Sequence, residues 1–213
     1  METRTTVMQR EVLMANLKFT IQRENQPDQD VTIRPRTSDD HSAITALYGN
    51  IPVEETEYFV VDVQNSTVIS QWFEPNDFVE TVALVAETSE AIVGEAVLVR
   101  QKNPRLSHVG NIRFYIHPDW RKAGLGATLV SSLFTSAMNM GIEKICIYLP
   151  EPGAQRFDAM LSRNGFSKEA ILRNHYRSRN GTKRDIIVYG RDLEELWHRI
   201  SDWVSNYGRA MEY

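Results

Sequence analysis

Apolar positions along this chain switch between two spacings, and each switch marks an element. Leu17-Lys18-Phe19-Thr20-Ile21 alternates within an otherwise polar first thirty residues, as an edge strand or a lead-in would. Val31 to Arg36 alternates as a half-buried strand does. Thr37-Ser38-Asp39-Asp40 then offers helix caps, and Ala43, Ile44, Ala46 and Leu47 share one face of a short helix. From Asn50 to Glu80 no period is sustained, and Pro52 and Pro75 break the chain.

A β-rich series follows. Thr81 to Thr88 and Ala91 to Arg100, joined by Ser89-Glu90, predict a hairpin. His108 to Pro118 predicts a third strand stopped by its proline. Leu129, Leu133, Phe134, Ala137 and Met138 fall on one helical face in a segment that ends at Gly141. Lys144 to Leu149 reads as a buried strand, and a helix is expected around Gln155 to Arg163, closed by Asn164-Gly165. Phe166 to Arg173 and Arg184 to Tyr189 predict two last strands flanking the turn Arg179-Asn180-Gly181. Leu193, Leu196, Trp197, Ile200, Trp203, Val204 and Tyr207 recur at helical spacing; such a stripe packs on its own domain or, as a second use, makes a homodimer.

Composition narrows the class. With 213 residues and 42% hydrophobic content the chain can bury a sizeable core, and disorder is excluded. One cysteine rules out a disulfide framework, no apolar run reaches membrane-spanning length, and the first thirty residues lack a signal-peptide block. A cytoplasmic location is the resulting expectation. Cys146 lies in an apolar run and reads as a buried, inert thiol, and the five scattered histidines show no metal-ligand spacing.

The net charge of −4 conceals an asymmetry. Between Arg36 and Arg100 lie 63 residues without a lysine or arginine but with twelve acids, among them Asp40, Glu54, Glu55, Glu57, Asp62, Glu87 and Glu95. All 24 basic residues and the other 16 acids lie outside that stretch. Opposed blocks of charge read as a solvated acidic face or as two ligand surfaces of opposite preference.

Chemistry concentrates between Phe114 and Val130. An apolar strand ends at Ile116-His117-Pro118, and Arg121-Lys122-Ala123-Gly124-Leu125-Gly126 opens a helix. Strand, glycine turn and helix N-terminus in that order make an anion site suited to a pyrophosphate, with Arg121 and Lys122 adding charge. A dinucleotide fingerprint would need Gly or Ala at Leu129 and an early strand, and a nucleotide-triphosphate loop would need Gly-Lys-Ser/Thr. Neither is present.

The segment Arg121-Lys122-Ala123-Gly124-Leu125-Gly126 and the surrounding element order resemble the GNAT (GCN5-related N-acetyltransferase) superfamily, closest in pattern to bacterial protein-lysine or small-amine acetyltransferases. The resemblance implies an α/β fold of the α+β type, with a central mixed, mostly antiparallel sheet of about six to seven strands flanked by helices. It implies an N-terminal extension over residues 1–30, the acyltransferase domain over 31–191 and a C-terminal amphipathic helix over 192–213. Acetyl-CoA or another acyl-CoA is the implied co-substrate, without a metal. The main chain of Phe114, Tyr115 and Ile116 would pair with the pantetheine arm, and Lys122 to Ala127 would wrap the pyrophosphate, with Thr128 capping. Arg173, Arg177, Arg179, Lys183 and Arg184 are free to meet the 3′-phosphate or solvent.

The acceptor implied is a primary amine: a protein lysine, a polyamine or a small amine. By the same resemblance the stretch from Gly49 to Glu80, which from Val53 onward has seven acids, no bases and Tyr58, Phe59, Trp72, Phe73 and Phe78, would form a wall suited to a cation and unsuited to nucleic acid. Positions where relatives often carry acids or a proton-donating tyrosine hold Asn111, Leu149 and Leu161 instead. Substitutes are Tyr148 and Tyr176 as proton donors and Glu95 or Glu151 as base. The rival expectation is an acyl-CoA-binding sensor that has lost its chemistry.

Overall fold

The computed structural model describes residues 16–22, 28–74, 80–151 and 153–194. The strands are β1 Leu17–Ile21, β2 Gln29–Pro35, β3 Thr81–Glu87, β4 Ile92–Arg100, β5 Val109–Ile116, β6 Lys144–Pro150, β7 Ser167–Arg177 and β8 Lys183–Asp192. The helices are α1 His41–Gly49, α2 Ser66–Gln71, α3 Leu125–Asn139 and α4 Asp158–Arg163. One sheet runs in the order β1-β2-β3-β4-β5-β6-β8-β7. All neighbours are antiparallel except β5 and β6, which α3 joins as a crossover.

The sheet thus has eight strands where six or seven were expected. The additional strand is β1, which pairs one-for-one with β2 from Leu17↔Ile33 to Ile21↔Gln29. Its alternation is decisive: Ile21 is buried and Phe19 packs against the core, so the strand gains both a ladder and an apolar face. The helix expected around Gln155 to Arg163 divides into a tight helical turn, Gly153–Phe157, and α4. Of the amphipathic helix expected over 192–213, the part from residue 195 onward lies outside the described residues, as do Asp77 and Phe78.

Two cores sandwich the sheet. On one face α3 and α4 bury Leu129, Leu133 and Leu161 against Ile112, Ile116, Ile145 and Ile147. On the other, α1 and α2 bury Ile44, Leu47, Tyr48 and Ile69 against Val85 and Tyr115. Period-two alternation along β5 sends Ile112, Phe114 and Ile116 to the α3 face and Asn111, Arg113 and Tyr115 to the α1 face.

The feature that positions the site is a short ladder. β5 and β6 pair only over Val109↔Lys144, Gly110↔Ile145 and Asn111↔Cys146. β6 then stays with β8 as far as Pro150↔Ile186, while β5 stays with β4 as far as Ile116↔Gly94. The sheet therefore splits down its middle.

Candidate functional site

Main-chain groups line one side of the split. The His117 N–H donates to the Val93 carbonyl at 2.9 Å, and Glu95 stands opposite Tyr115. Antiparallel alternation then turns the main chain of Tyr115 toward β4 and those of Phe114 and Ile116 toward the departing β6. Of the three residues expected to meet a pantetheine arm, two have that orientation. The Ile116 carbonyl already accepts a bond from Arg121 Nε at 3.0 Å.

Where β5 ends, the chain makes an anion nest. Lys122 (φ 65°) and Gly124 (φ 82°) adopt left-handed backbone on either side of Ala123, and Gly124 caps α3. The first intrahelical bond is Thr128 N–H to the Gly124 carbonyl at 3.0 Å, so the N–H groups of Leu125, Gly126 and Ala127 have no intrahelical acceptor. Thr128 Oγ1 turns back to the same carbonyl at 3.2 Å. A Cβ on Gly126 would sit 3.5 Å from Ile116 Cγ1, in ordinary contact with the end of β5. Donors and the helix dipole thus converge beside the open main-chain edge.

A strap crosses this region. The tight turn Val53–Tyr58 places Glu55 against Arg121, with both guanidinium nitrogens donating to the carboxylate at 2.6 Å. That bidentate bond holds the buried Glu55 carboxyl below its usual range. Arg156, from the turn after β6, reaches Glu55 at 3.6 Å and lies over the Tyr58 ring. Tyr58 covers Gly153 so closely that a Cβ there would collide with its ring. The strap therefore grips both banks of the split. The sequence reading gave Arg121 to the phosphates; its charge is largely neutralised by Glu55, which leaves the exposed Lys122 as the open cation of the loop.

Glu95 is 0% exposed and engaged at both oxygens. Arg36 donates to Oε1 at 2.7 Å and Tyr48 to Oε2 at 2.7 Å, with Arg113 a further 3.7 Å from Oε2. Arg36 also donates to the Trp72 carbonyl and lies over Phe73, while Arg113 stacks on Trp72 at 3.5 Å. A carboxylate so enclosed fixes the packing of α1 and α2 on the sheet and has no direct path to a substrate proton.

The other three sequence candidates lie on β6, on β7 and in the turn after β6, and Tyr176 pairs in register with Arg184, which lines the cleft of Glu151. Tyr148 lies on β6 just beyond the last β5–β6 pair, on the same face as Arg113, and is 37% exposed. Burial raises its pKa, so the phenol is protonated at neutral pH. Tyr176 donates to Glu57 at 2.6 Å, and Glu57 also accepts the Arg179 N–H at 3.1 Å. Glu151 lies in the turn after β6, in an open cleft lined by Gln155, Lys183, Arg184 and Asp185. Burial raises the pKa of Cys146, as an inert thiol requires. Among the described residues no group of three or more His, Cys, Asp or Glu is placed to hold a metal ion.

The acidic stretch folds onto the basic frame. Asp40 and Glu87 share Arg34, Glu55 takes Arg121, Asp62 takes Arg179, Glu80 takes Arg100, and Glu95 takes Arg36. Each arginine lies outside the stretch that contains its partner. Sequence reasoning missed these pairs, and Arg113 with them; the one visible signal was the alternation of Asn111, Arg113 and Tyr115 with Ile112, Phe114 and Ile116.

Comparison with known proteins bears on the same region. Residues 80–168 match the family model described as "Acetyltransferase (GNAT) domain". Mycothiol acetyltransferase of Parafrankia sp. (strain EAN1pec) is 33% identical over 89 residues, which are 42% of this chain and 25% of that protein. This chain thus matches only a quarter of that relative's length. A GNAT family acetyltransferase from Streptococcus pneumoniae superposes with a TM-score of 0.64 at 18% identity, over 76% of this chain and 99% of that one. The structure of yncA from Salmonella typhimurium with its cofactor acetyl-CoA gives 0.65 at 22% identity, over 76% and 94%. The GNAT domain of S. lividans PAT gives 0.65 at 15% identity, over 85% and 98%.

Proposed function

We propose that this chain is an acetyltransferase of the GNAT type, in keeping with the family match over residues 80–168, and that it transfers an acetyl group from acetyl-CoA to a primary amine by direct attack. The observation that carries this reading is the split between β5 and β6 opening beside the nest of Lys122, Gly124 and the first turn of α3. An extended arm fits the split as an added strand, and a pyrophosphate fits the nest. Acetyl-CoA supplies an activated thioester carbonyl.

Residues of this chain do the rest. The Phe114 and Ile116 main chain aligns the arm, and an N–H from that edge stabilises negative charge developing on the carbonyl oxygen. Tyr148 stands across the split with a protonated phenol and gives its proton to the departing thiolate. Glu151, in its open cleft, takes the amine proton through a water. Glu95 and Tyr176, with their polar atoms engaged, hold the α1–α2 layer and the strap in place.

The test is calorimetric titration with acetyl-CoA followed by thiol release over a panel of amines. Binding and turnover are expected in the native chain, and Gly124→Glu is expected to abolish both by filling the nest. Native protein that binds acetyl-CoA yet releases no thiol with any amine would be a sensor instead; a folded protein without acetyl-CoA binding would sink the reading altogether.

A further inference from the structure

Two buried polar atoms without a hydrogen-bond partner, Asn111 Oδ1 and Arg113 Nε, lie on one face of one strand, and the buried Tyr115 hydroxyl on the same face turns to the Arg121 guanidinium. They occupy alternate positions of β5, next to the split, on the side opposite α3. Buried polar atoms are nearly always bonded, so Asn111 and Arg113 together mark a place where a polar group is wanting. The Tyr115 ring is packed among Tyr48 and Phe59, which fixes its hydroxyl in place.

Charge says what kind of ligand. Arg36 and Arg113 face a single carboxylate, Glu95, and Arg36 has the short contact at 2.7 Å whereas Arg113 stands at 3.7 Å. Tyr48 occupies the oxygen nearest Arg113. Trp72 supports the Arg113 guanidinium from one side, with Cζ 3.5 Å from the ring centroid, and the side chain keeps 27% exposure. Among the described residues this locus carries one positive charge more than it neutralises. An acceptor with only ammonium groups would meet repulsion here, and one that also bears a carboxylate would be attracted.

We propose that Asn111, Arg113 and Tyr115 form an acceptor subsite for a carboxylate, so that the amine acetylated belongs to a small amino acid. This deepens the acetyltransferase reading and rests on it. Arg113 pairs with the carboxylate, Tyr115 donates to it or to a neighbouring polar atom, and Asn111 meets the polar part nearer the closed end of the split. The amine then lies toward Tyr148, across the split.

The experiment compares each amino acid with its decarboxylated counterpart (lysine with cadaverine, phenylalanine with phenethylamine, glycine with methylamine) by thiol release at saturating acetyl-CoA. Hydrogen bonds to a charged partner predict a preference of about 10- to 100-fold in kcat/KM for the carboxylate-bearing member. Arg113→Gln is expected to collapse that ratio toward unity, through KM for the amino acid. Tyr115→Phe, which only removes a hydroxyl, is expected to raise the same KM several-fold without lowering the melting temperature; a merely structural Tyr115 would leave KM unmoved. Turnover with equal or better use of the decarboxylated amines overturns the subsite and leaves the acetyltransferase reading intact. If no amine turns over, calorimetry with the same pairs decides: amino-acid binding lost in Arg113→Gln sustains the subsite, and equal or absent binding of both members overturns it.

Discussion

Glu95 illustrates how one residue's surroundings decide its role. A glutamate after a glycine on a strand invites a catalytic reading, yet this one bridges Arg36 and Tyr48 with no solvent exposure. Removing one partner of a buried pair strands the other's charge, so Glu95→Ala is expected to cost about 3–5 kcal/mol of stability, measured by urea denaturation. A general base would behave otherwise, with activity lost and stability kept. Tyr148 is the contrasting residue. Tyr148→Phe is expected to lower kcat by about a hundredfold with acetyl-CoA affinity and melting temperature unchanged; an unchanged kcat would remove it from the reaction.

At the scale of elements, the strap Val53–Tyr58 connects banks that the sheet leaves apart. Gly153 permits this, because any Cβ would collide with the Tyr58 ring. Gly153→Ala should therefore lift the strap, costing about 1–3 kcal/mol by overpacking and raising KM for the acceptor more than for acetyl-CoA. Steady-state kinetics against both substrates would check the split. The strap also shows where legibility stopped. β5, α3 and the nest follow from apolar period and glycine spacing, which are local, and Leu17–Ile21 was visible as an alternation. Glu55 and Arg121 lie 66 positions apart, and no local pattern joins them. Partner choice between distant charges is settled by topology, so a wall that looked open in sequence has Glu55, Asp62 and Glu80 in ion pairs and Glu57 in hydrogen bonds.

For the whole molecule, the paired charges set a pH limit. Asp40, Glu55 and Glu87 are held below their usual carboxylate ranges by hydrogen bonds from Arg34 or Arg121, which stay protonated throughout. Depressed folded values mean that this stability is complete above the usual 4.5 of a glutamate and lost as pH falls through and below it. Thermal melts from neutral pH downward should show a steepening acid limb, and Glu55→Gln should flatten it while lowering the neutral-pH melting temperature. An identical acid limb in the variant would count against the strap as a stabilising clasp. The exposed edge is guarded in another way: β7 carries Lys168, Glu169, Arg173, His175 and Arg177 along an almost wholly exposed strand, a composition that discourages pairing with another copy.

The three-pair ladder between β5 and β6 has a kinetic corollary. The main-chain edge that would receive the pantetheine arm cannot tell whether an acetyl group is attached to its end. In the proposed reaction, spent CoA would satisfy the same donors and the same nest as the loaded molecule, which leaves little affinity difference with which to expel it. For the proposed reaction, release of CoA is the expected slow event of the cycle. Free CoA is expected to inhibit competitively against acetyl-CoA, with an inhibition constant near the acetyl-CoA dissociation constant, and product-inhibition kinetics would measure it. The cellular ratio of acetylated to free CoA, more than the amount of either, would then govern the rate at which this protein works.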